Sequence, residues 1–325
     1  MTASTAQTAP TMPIAPAPPA GPNARPDLEP EPKSKVERVL LVVFIVLPFL
    51  AVLAALPMAW GAGLLSWSDV AIGLVMYTVT CLGVTIGFHR FFTHGSFKAK
   101  RPLKIALAVA GSMALEMSVV DWVATHRRHH KFSDLEGDPH SPWRFGTDWK
   151  ALAKGLYWAH MGWLFQKERT NRKKFAPDLV ADPDIQKIHD VFPALVAGSL
   201  LLPPLVGGLV TWSWMGALTA FFWATLVRIA MLHHVTWSIN SICHVFGAKP
   251  FTTRDQSRNV WWLAIPSAGE SWHNLHHADP TSARHGALPG QLDPSARVIR
   301  WFEQAGWAYN VRWPTPERLA AKRAA

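Results

Sequence analysis

From about residue 36 the chain alternates between long apolar runs and polar stretches dense in Lys, Arg and His. Four runs, about 39–60, 70–88, 192–210 and 215–235, come near the ~20 residues that a helix needs to cross ~30 Å of hydrocarbon. They pair as two hairpins, because the short links "GAGLLSWSD" and "TWSW" carry no Lys or Arg. The outer flanks do carry them: "KSKVER" before the first run, "HRFFTHGSFKAKRPLK" after the second and "QKERTNRKK" before the third. By the preference of Lys and Arg for the cytoplasmic side, both termini and the long middle segment are expected in the cytoplasm. Pro48, Pro57, Pro203 and Pro204 are tolerable in membrane helices. A fifth run, about 103–120, contains Glu116 and ends at Asp121, so it reads as a helix at the interface and not as a crossing. Residues 121–190 and 236–325 then form a helical cap on the cytoplasmic side. The expected fold is mainly α: an integral protein of the cell membrane with four transmembrane helices in two hairpins under a cytoplasmic cap.

Composition supports the membrane reading. Of 325 residues 49% are hydrophobic and only 17% charged, and 17 Trp against 3 Tyr suit interfacial anchors. The formal charge of +10 fits basic loops that attract headgroups or acidic partners, and no nucleic-acid-binding motif accompanies it. Cys81 and Cys243 stand far apart beside apolar segments with no CxxC, which argues against a disulfide framework, a zinc ribbon or an iron–sulfur site. Residues 1–35, rich in Pro, Ala and Thr, read as a disordered tail without the apolar core of a signal peptide.

Eight of the 15 histidines fall into three short clusters: "HRFFTH" at 89–94, "HRRHH" at 126–130 and "HNLHH" at 273–277. On a helix the HxxHH spacing places its imidazoles at roughly 0°, 300° and 40°, so one helix is expected to aim all three at one point. His89 and His94, five apart, would diverge by ~140° on a regular helix, and the chain is expected to leave that geometry there. In "WSINSICH", Asn240 and His244 share a helical face. The topology brings all of these to one membrane face, so His89, His94, His126, His129, His130, His244, His273, His276 and His277 can converge. That exceeds the six positions of one octahedral ion and points to a dinuclear redox centre, with iron the leading candidate. Asp134, Asp138 and Asp279 can hold imidazole N–H groups or cap local turns. His140, His160, His189 and His285 are expected beside the site or at the surface, and His233 and His234 as polar residues satisfied between helices. Trp122 and Trp237 stand on the histidine-bearing helical faces, as interface anchors or as the lining of a passage.

Taken together, "GFHRFFTH", "HRRHHKFSDLEGDPHS", "AHMGWLF", "TWSINSICH" and "GESWHNLHHADP" resemble the membrane-bound acyl-CoA Δ9 (stearoyl-CoA) desaturase family, and its actinobacterial members in particular. The resemblance covers about 36–316 as one membrane fatty acid desaturase domain, leaving 1–35 and 317–325 as tails. It implies two Fe2+ ions held by the nine histidines, with Asn240 contributing through a water. It implies a kinked acyl tunnel at Trp122, Thr236 and Trp237, and O2 as co-substrate. The product would be a cis-Δ9 double bond in a saturated C16 or C18 chain. "VAT" at 123–125 replaces charged groups of animal members, so the carrier is left as CoA or another acyl carrier.

Side chains alone cannot remove hydrogen from an unactivated methylene; a metal cofactor with O2 can. The chain has no Gly-rich dinucleotide fingerprint and no fused haem-binding domain with a His-Pro-Gly-Gly turn. A separate electron donor (ferredoxin, cytochrome or flavin reductase system) is therefore expected on the cap. A histidine-box diiron hydroxylase is the nearest alternative. A metal transporter or sensor is more distant, because the clusters lie outside the spans and transport sites favour the bilayer midplane.

Overall fold

The computed structural model describes residues 27–323. Four helices are long and apolar enough to cross a membrane: Lys35–Ala55, Trp67–Thr93, Phe192–Thr211 and Trp214–His244. They match the four expected spans, but the second and fourth run well past the apolar stretch. Those extensions carry the chain from lipid into the cap without a break, and they bear His89, Asn240 and His244.

Each span presents apolar residues outward, among them Leu40, Leu53, Leu74, Leu205 and Leu218. Trp67, Trp212 and Trp214 are nearly fully exposed at the end opposite the histidines, where an interfacial belt belongs. Polar groups turn inward and find partners. Asp69 closes a capping box with Ser66 and accepts from Thr219 Oγ1 at 3.1 Å, tying the second span to the fourth. Arg228 is buried inside the bundle, where its guanidinium donates to Ser199 Oγ at 3.0 Å and to the Ala224 carbonyl at 3.2 Å.

The fifth apolar run is no crossing. Its helix, Arg101–Ser112, has 12 residues and ends at a turn where Leu115 takes a positive φ of 64°. It lies across the lower second span at very close approach. A Cβ on Gly83 would stand 2.2 Å from Gly111 N, and one on Gly87 2.9 Å from the Leu107 carbonyl oxygen. Gly83 and Gly87 form a small-xxx-small face, the device by which membrane helices bring backbones together.

The tails need correction. The structure has Asp27–Lys33 lying along residues 167–171, with Glu29 N donating to Arg169 O and Lys33 N to Lys167 O, both at 2.8 Å. Ser34 then caps the first span. The rest of the expected disordered tail, 1–26, lies outside the described residues. Residues 317–323 of the C-terminal tail are also docked: Arg318 Nη2 meets Asp279 at 2.6 Å and Thr252 N donates to Lys322 O at 2.9 Å. Both corrections have the same cause, since charged residues in a short polar segment find fixed partners that composition cannot show.

The glycine crossing gives a direct test. Gly83→Ala overpacks it at a cost of about 1–3 kcal/mol and should lower the thermal unfolding midpoint measurably. Gly198→Ala, with nothing within 4 Å of the new methyl, should leave it unchanged.

Candidate metal centre

Four segments deliver the histidines. The second span ends in π-helical turns over Gly83–Thr93, and His94 N donates to the His89 carbonyl at 3.2 Å. This five-residue hydrogen bond brings His89 and His94 together edge to face, with ring centroids 5.0 Å apart, where a regular helix would splay them. The helix Val119–Phe132 carries the second cluster and starts at Ser118, whose Oγ accepts from Asp121 N. The short helix His273–Ala278 carries the third. It is anchored by buried Asn274, which bonds both backbone groups of Phe251 and the Ser257 carbonyl. His244 closes the fourth span in a 3-10 turn.

All nine expected histidines come together, but in two groups. Ring nitrogens of His89, His94, His126, His130 and His276 lie within 4.8 Å of one another, and so do those of His129, His244, His273 and His277. The expectation that each HxxHH aims at one point is thus corrected. The i and i+4 members, separated by only ~40° on the helix, share a group, while the i+3 member crosses to the other. His126 and His130 join His276, and His273 and His277 join His129, so each box bridges both groups.

Within each group the Nε2 atoms nearly touch. His89–His276 are 3.0 Å apart, His276–His130 2.9 Å, His244–His273 3.1 Å and His277–His273 3.0 Å. Carboxylates outside the groups fix which nitrogen keeps its proton. His129 Nδ1 meets Asp138 at 3.0 Å, His244 Nδ1 meets Asp134 at 2.9 Å, His277 Nδ1 meets Asp255 at 2.7 Å, and His89 Nδ1 pairs with Glu270. The Nε2 lone pairs therefore face inward. Burial, reinforced by the neighbouring imidazoles, holds His126, His130, His273 and His276 well below the usual histidine pKa. Burial also lowers His277 to about 4, even with Asp255 opposing it. Converging neutral lone pairs at 3 Å repel unless a cation lies between them. Nitrogens about 2.1 Å from a divalent ion and at right angles around it would stand about 3.0 Å apart. The donor set fits one such ion per group, and all-imidazole ligation suits iron or another transition metal.

Of the three expected carboxylates, Asp134 and Asp138 hold imidazoles. Asp279 does not: it receives Arg318 and Thr281 Oγ1, because the basic C-terminal segment docks there. Sequence reasoning missed Glu270 and Asp255. Glu270, three residues before His273, had a readable signal, whereas Asp255 is brought in by a loop. Glu270 also binds the buried guanidinium of Arg90, which pairs in turn with Asp293. His285, expected at the margin, is fully buried, its ring centroid 4.5 Å from that of His276. His140 packs 4.3 Å from the His129 ring. His160 faces His234 at 2.9 Å and His189 faces Ser118 at 2.8 Å, both away from the two groups. His233 meets the Ala114 carbonyl at 2.9 Å.

A row of three cavities that share lining residues lies beside the histidines. Its outer part, about 280 Å³, is rimmed by Lys33, Glu37, Arg128 and Arg169. Glu116, Met117, Thr125, Trp163 and Leu164 are shared with the next part, where Trp122, Thr236, Trp237 and Asn240 form the wall. The inner end is lined by Cys81, Val84 and Leu232, with His89, His126 and His273 beside it. Trp122 lines both inner cavities, stacked on the His126 ring at 4.9 Å. Its Nε1 donates to Glu116 at 2.9 Å, and burial pushes that carboxyl up to about 7.

The fatty acid desaturase family model matches residues 65–313. Hex-5-enoyl acyl-carrier-protein acetylenase of Moorena producens is 38% identical over 288 residues, covering 87% of this chain and 89% of that protein. Delta-9 acyl-lipid desaturase 1 of Arabidopsis thaliana is 37% identical over 254 residues, 77% of each chain. The sn-1 stearoyl-lipid 9-desaturase of Anabaena variabilis is 35% identical over 252 residues, 76% of this chain and 85% of that one.

The carboxylates give the prediction. Asp255→Asn keeps the shape but frees the His277 tautomer, and should weaken metal affinity about 10–100-fold by competition with a chelator. Asp279→Asn should leave that affinity unchanged.

Proposed function

The chain belongs to the fatty acid desaturase family, and on that premise we propose that it places a cis-Δ9 double bond in a saturated C16 or C18 acyl chain. The observation that carries the reading is the pair of imidazole groups, with Nε2 atoms 2.9–3.1 Å apart, beside a row of cavities with an apolar end. The five-histidine group and the four-histidine group would each hold one iron, with Asn240 completing the second through a water. Iron bound there would activate O2 with two electrons from a separate donor and two protons, the chemistry needed to take one hydrogen from each of two neighbouring methylenes and release two waters. The carrier is CoA, acyl-carrier protein or a glycerolipid, and the relatives include an enzyme named for acyl-carrier protein and one named for acyl-lipid. The active face is cytoplasmic in this reading, and a separate electron-transfer protein docks there.

The chain's own residues choose the bond. The charged rim at Lys33 and Arg169 stops the polar headgroup. The ring of Trp122, held by Glu116 below and His126 behind, bends the acyl chain. Cys81, Val84 and Leu232 stop the methyl end. A chain fixed at both ends presents one methylene pair to the histidine groups, and such positioning is a large share of rate. The walls of the inner part are apolar apart from its histidines and a few polar groups, which keeps water from the reacting carbons.

Expression in a desaturase-deficient host, with double-bond position read by mass spectrometry, tests the activity. A hydroxylated product would instead favour the hydroxylase reading. Trp122→Ala or Trp237→Ala should cut turnover at least tenfold and broaden bond position while iron content stays at the wild-type level. Unchanged regiochemistry would return both rings to the role of anchors. Cys81→Phe, which fills the apolar end, should shift preference from C18 toward shorter chains.

A further inference from the structure

A second cleft, of about 450 Å³, lies outside that row of cavities, between the helix Pro294–Gln304 and the loop that precedes the third histidine cluster. Its wall carries Arg284, Arg297 and Arg300 on one side and Ile265 and Leu292 on the other. All three arginines are exposed. The guanidinium of Arg297 has no hydrogen-bond partner among the described residues, and that of Arg284 uses only its Nε, on the Gly286 carbonyl. Arg300 is the one held, by Glu303 at 2.7 Å and over the Trp313 ring. The cleft's own acid, Asp293, is already spent on Arg90. The cleft is therefore a positive pocket with an apolar floor.

Its depth follows from the second span. Tyr77 Oη donates to the Pro266 carbonyl at 2.7 Å, so the loop reaches the level of Tyr77. That is ten residues, or ~15 Å, along the helix from the exposed belt residue Trp67. Ile265, 61% exposed, and its neighbours Trp261 and Trp262, 76% and 52%, thus face hydrocarbon or its boundary. Arg90, which holds Asp293, comes after ~30 Å of helix, where the hydrocarbon ends. The arginines stand at headgroup level directly above the apolar loop.

We propose that this cleft binds an anionic phospholipid, its phosphate between Arg284, Arg297 and Arg300 and its acyl chains along Ile265 and Trp262. Arginine is the side chain suited to phosphate, and basic pockets at this depth recognise acidic headgroups. An acidic electron-transfer protein would also suit the charge, but it would approach from water, and one wall of the cleft is at hydrocarbon depth. The inference does not depend on the reaction proposed above, because the lipid is read as bound mass.

The test is native mass spectrometry of the full-length protein from nanodiscs with equal phosphatidylglycerol and phosphatidylcholine. The wild type should retain phosphatidylglycerol at least fivefold over phosphatidylcholine. The double variant Arg284→Gln/Arg297→Gln, which breaks only the contact to Gly286, should lose that preference. The single Arg297→Gln, which breaks none, should halve it or more. Equal retention by wild type and variants overturns the site. So does displacement of the lipid by millimolar inorganic phosphate, which would show that the floor contributes nothing. Unchanged lipid retention with a raised KM for the electron donor would make the cleft a protein-docking surface and overturn the proposal as well.

Discussion

Everything in the cap is arranged around imidazole nitrogens that repel one another. Nine rings are packed into two groups whose inward nitrogens all lie within 4.8 Å of one another, several of them at about 3 Å, an arrangement that costs free energy unless a cation occupies each centre. Folding tolerates it because the strain is locked from outside. Asp134, Asp138, Asp255 and Glu270 take the outward N–H groups, and Arg90 sets a positive charge against both Glu270 and Asp293. Each lock comes from a different loop or helix from the ring it holds. The site therefore exists only when the second and fourth spans, both cluster helices and the 251–259 loop are all in place.

The crossing of HxxHH boxes between the groups has a consequence for cooperativity. A break in either cluster helix disturbs both centres, because each helix gives two rings to one group and one to the other. The glycine contact of Gly83 with Gly111 matters for the same reason. It sets the position of the π-helical end that brings His89 edge-on to His94, and through Phe88 it supports Trp122.

The spans, their pairing and the nine histidines were legible in the sequence because each leaves a periodic or spaced signal: 20-residue apolar runs, and rings at i, i+3 and i+4. What was not legible depends on tertiary placement. The division into groups of five and four needs the relative rotation of two helices. Asp255 reaches His277 from a loop 22 residues away, and which of its two possible roles Asp279 takes is decided by Arg318, 39 residues on. The strap at Asp27–Lys33 was hidden by a composition that also suits disorder; its order comes from backbone pairing to 167–171 and from Lys131 and Lys174 on Asp27. The π-helical turn was half legible: the five-residue spacing of His89 and His94 required a departure from regular helix without saying which.

The central claim is that each imidazole group holds its own ion. Anomalous diffraction at the iron edge, from crystals of protein loaded with Fe2+, tests it most directly. Two separate peaks are expected, one ringed by His89, His94, His126, His130 and His276 and the other by His129, His244, His273 and His277. A single peak, or two peaks sharing one group, would contradict it.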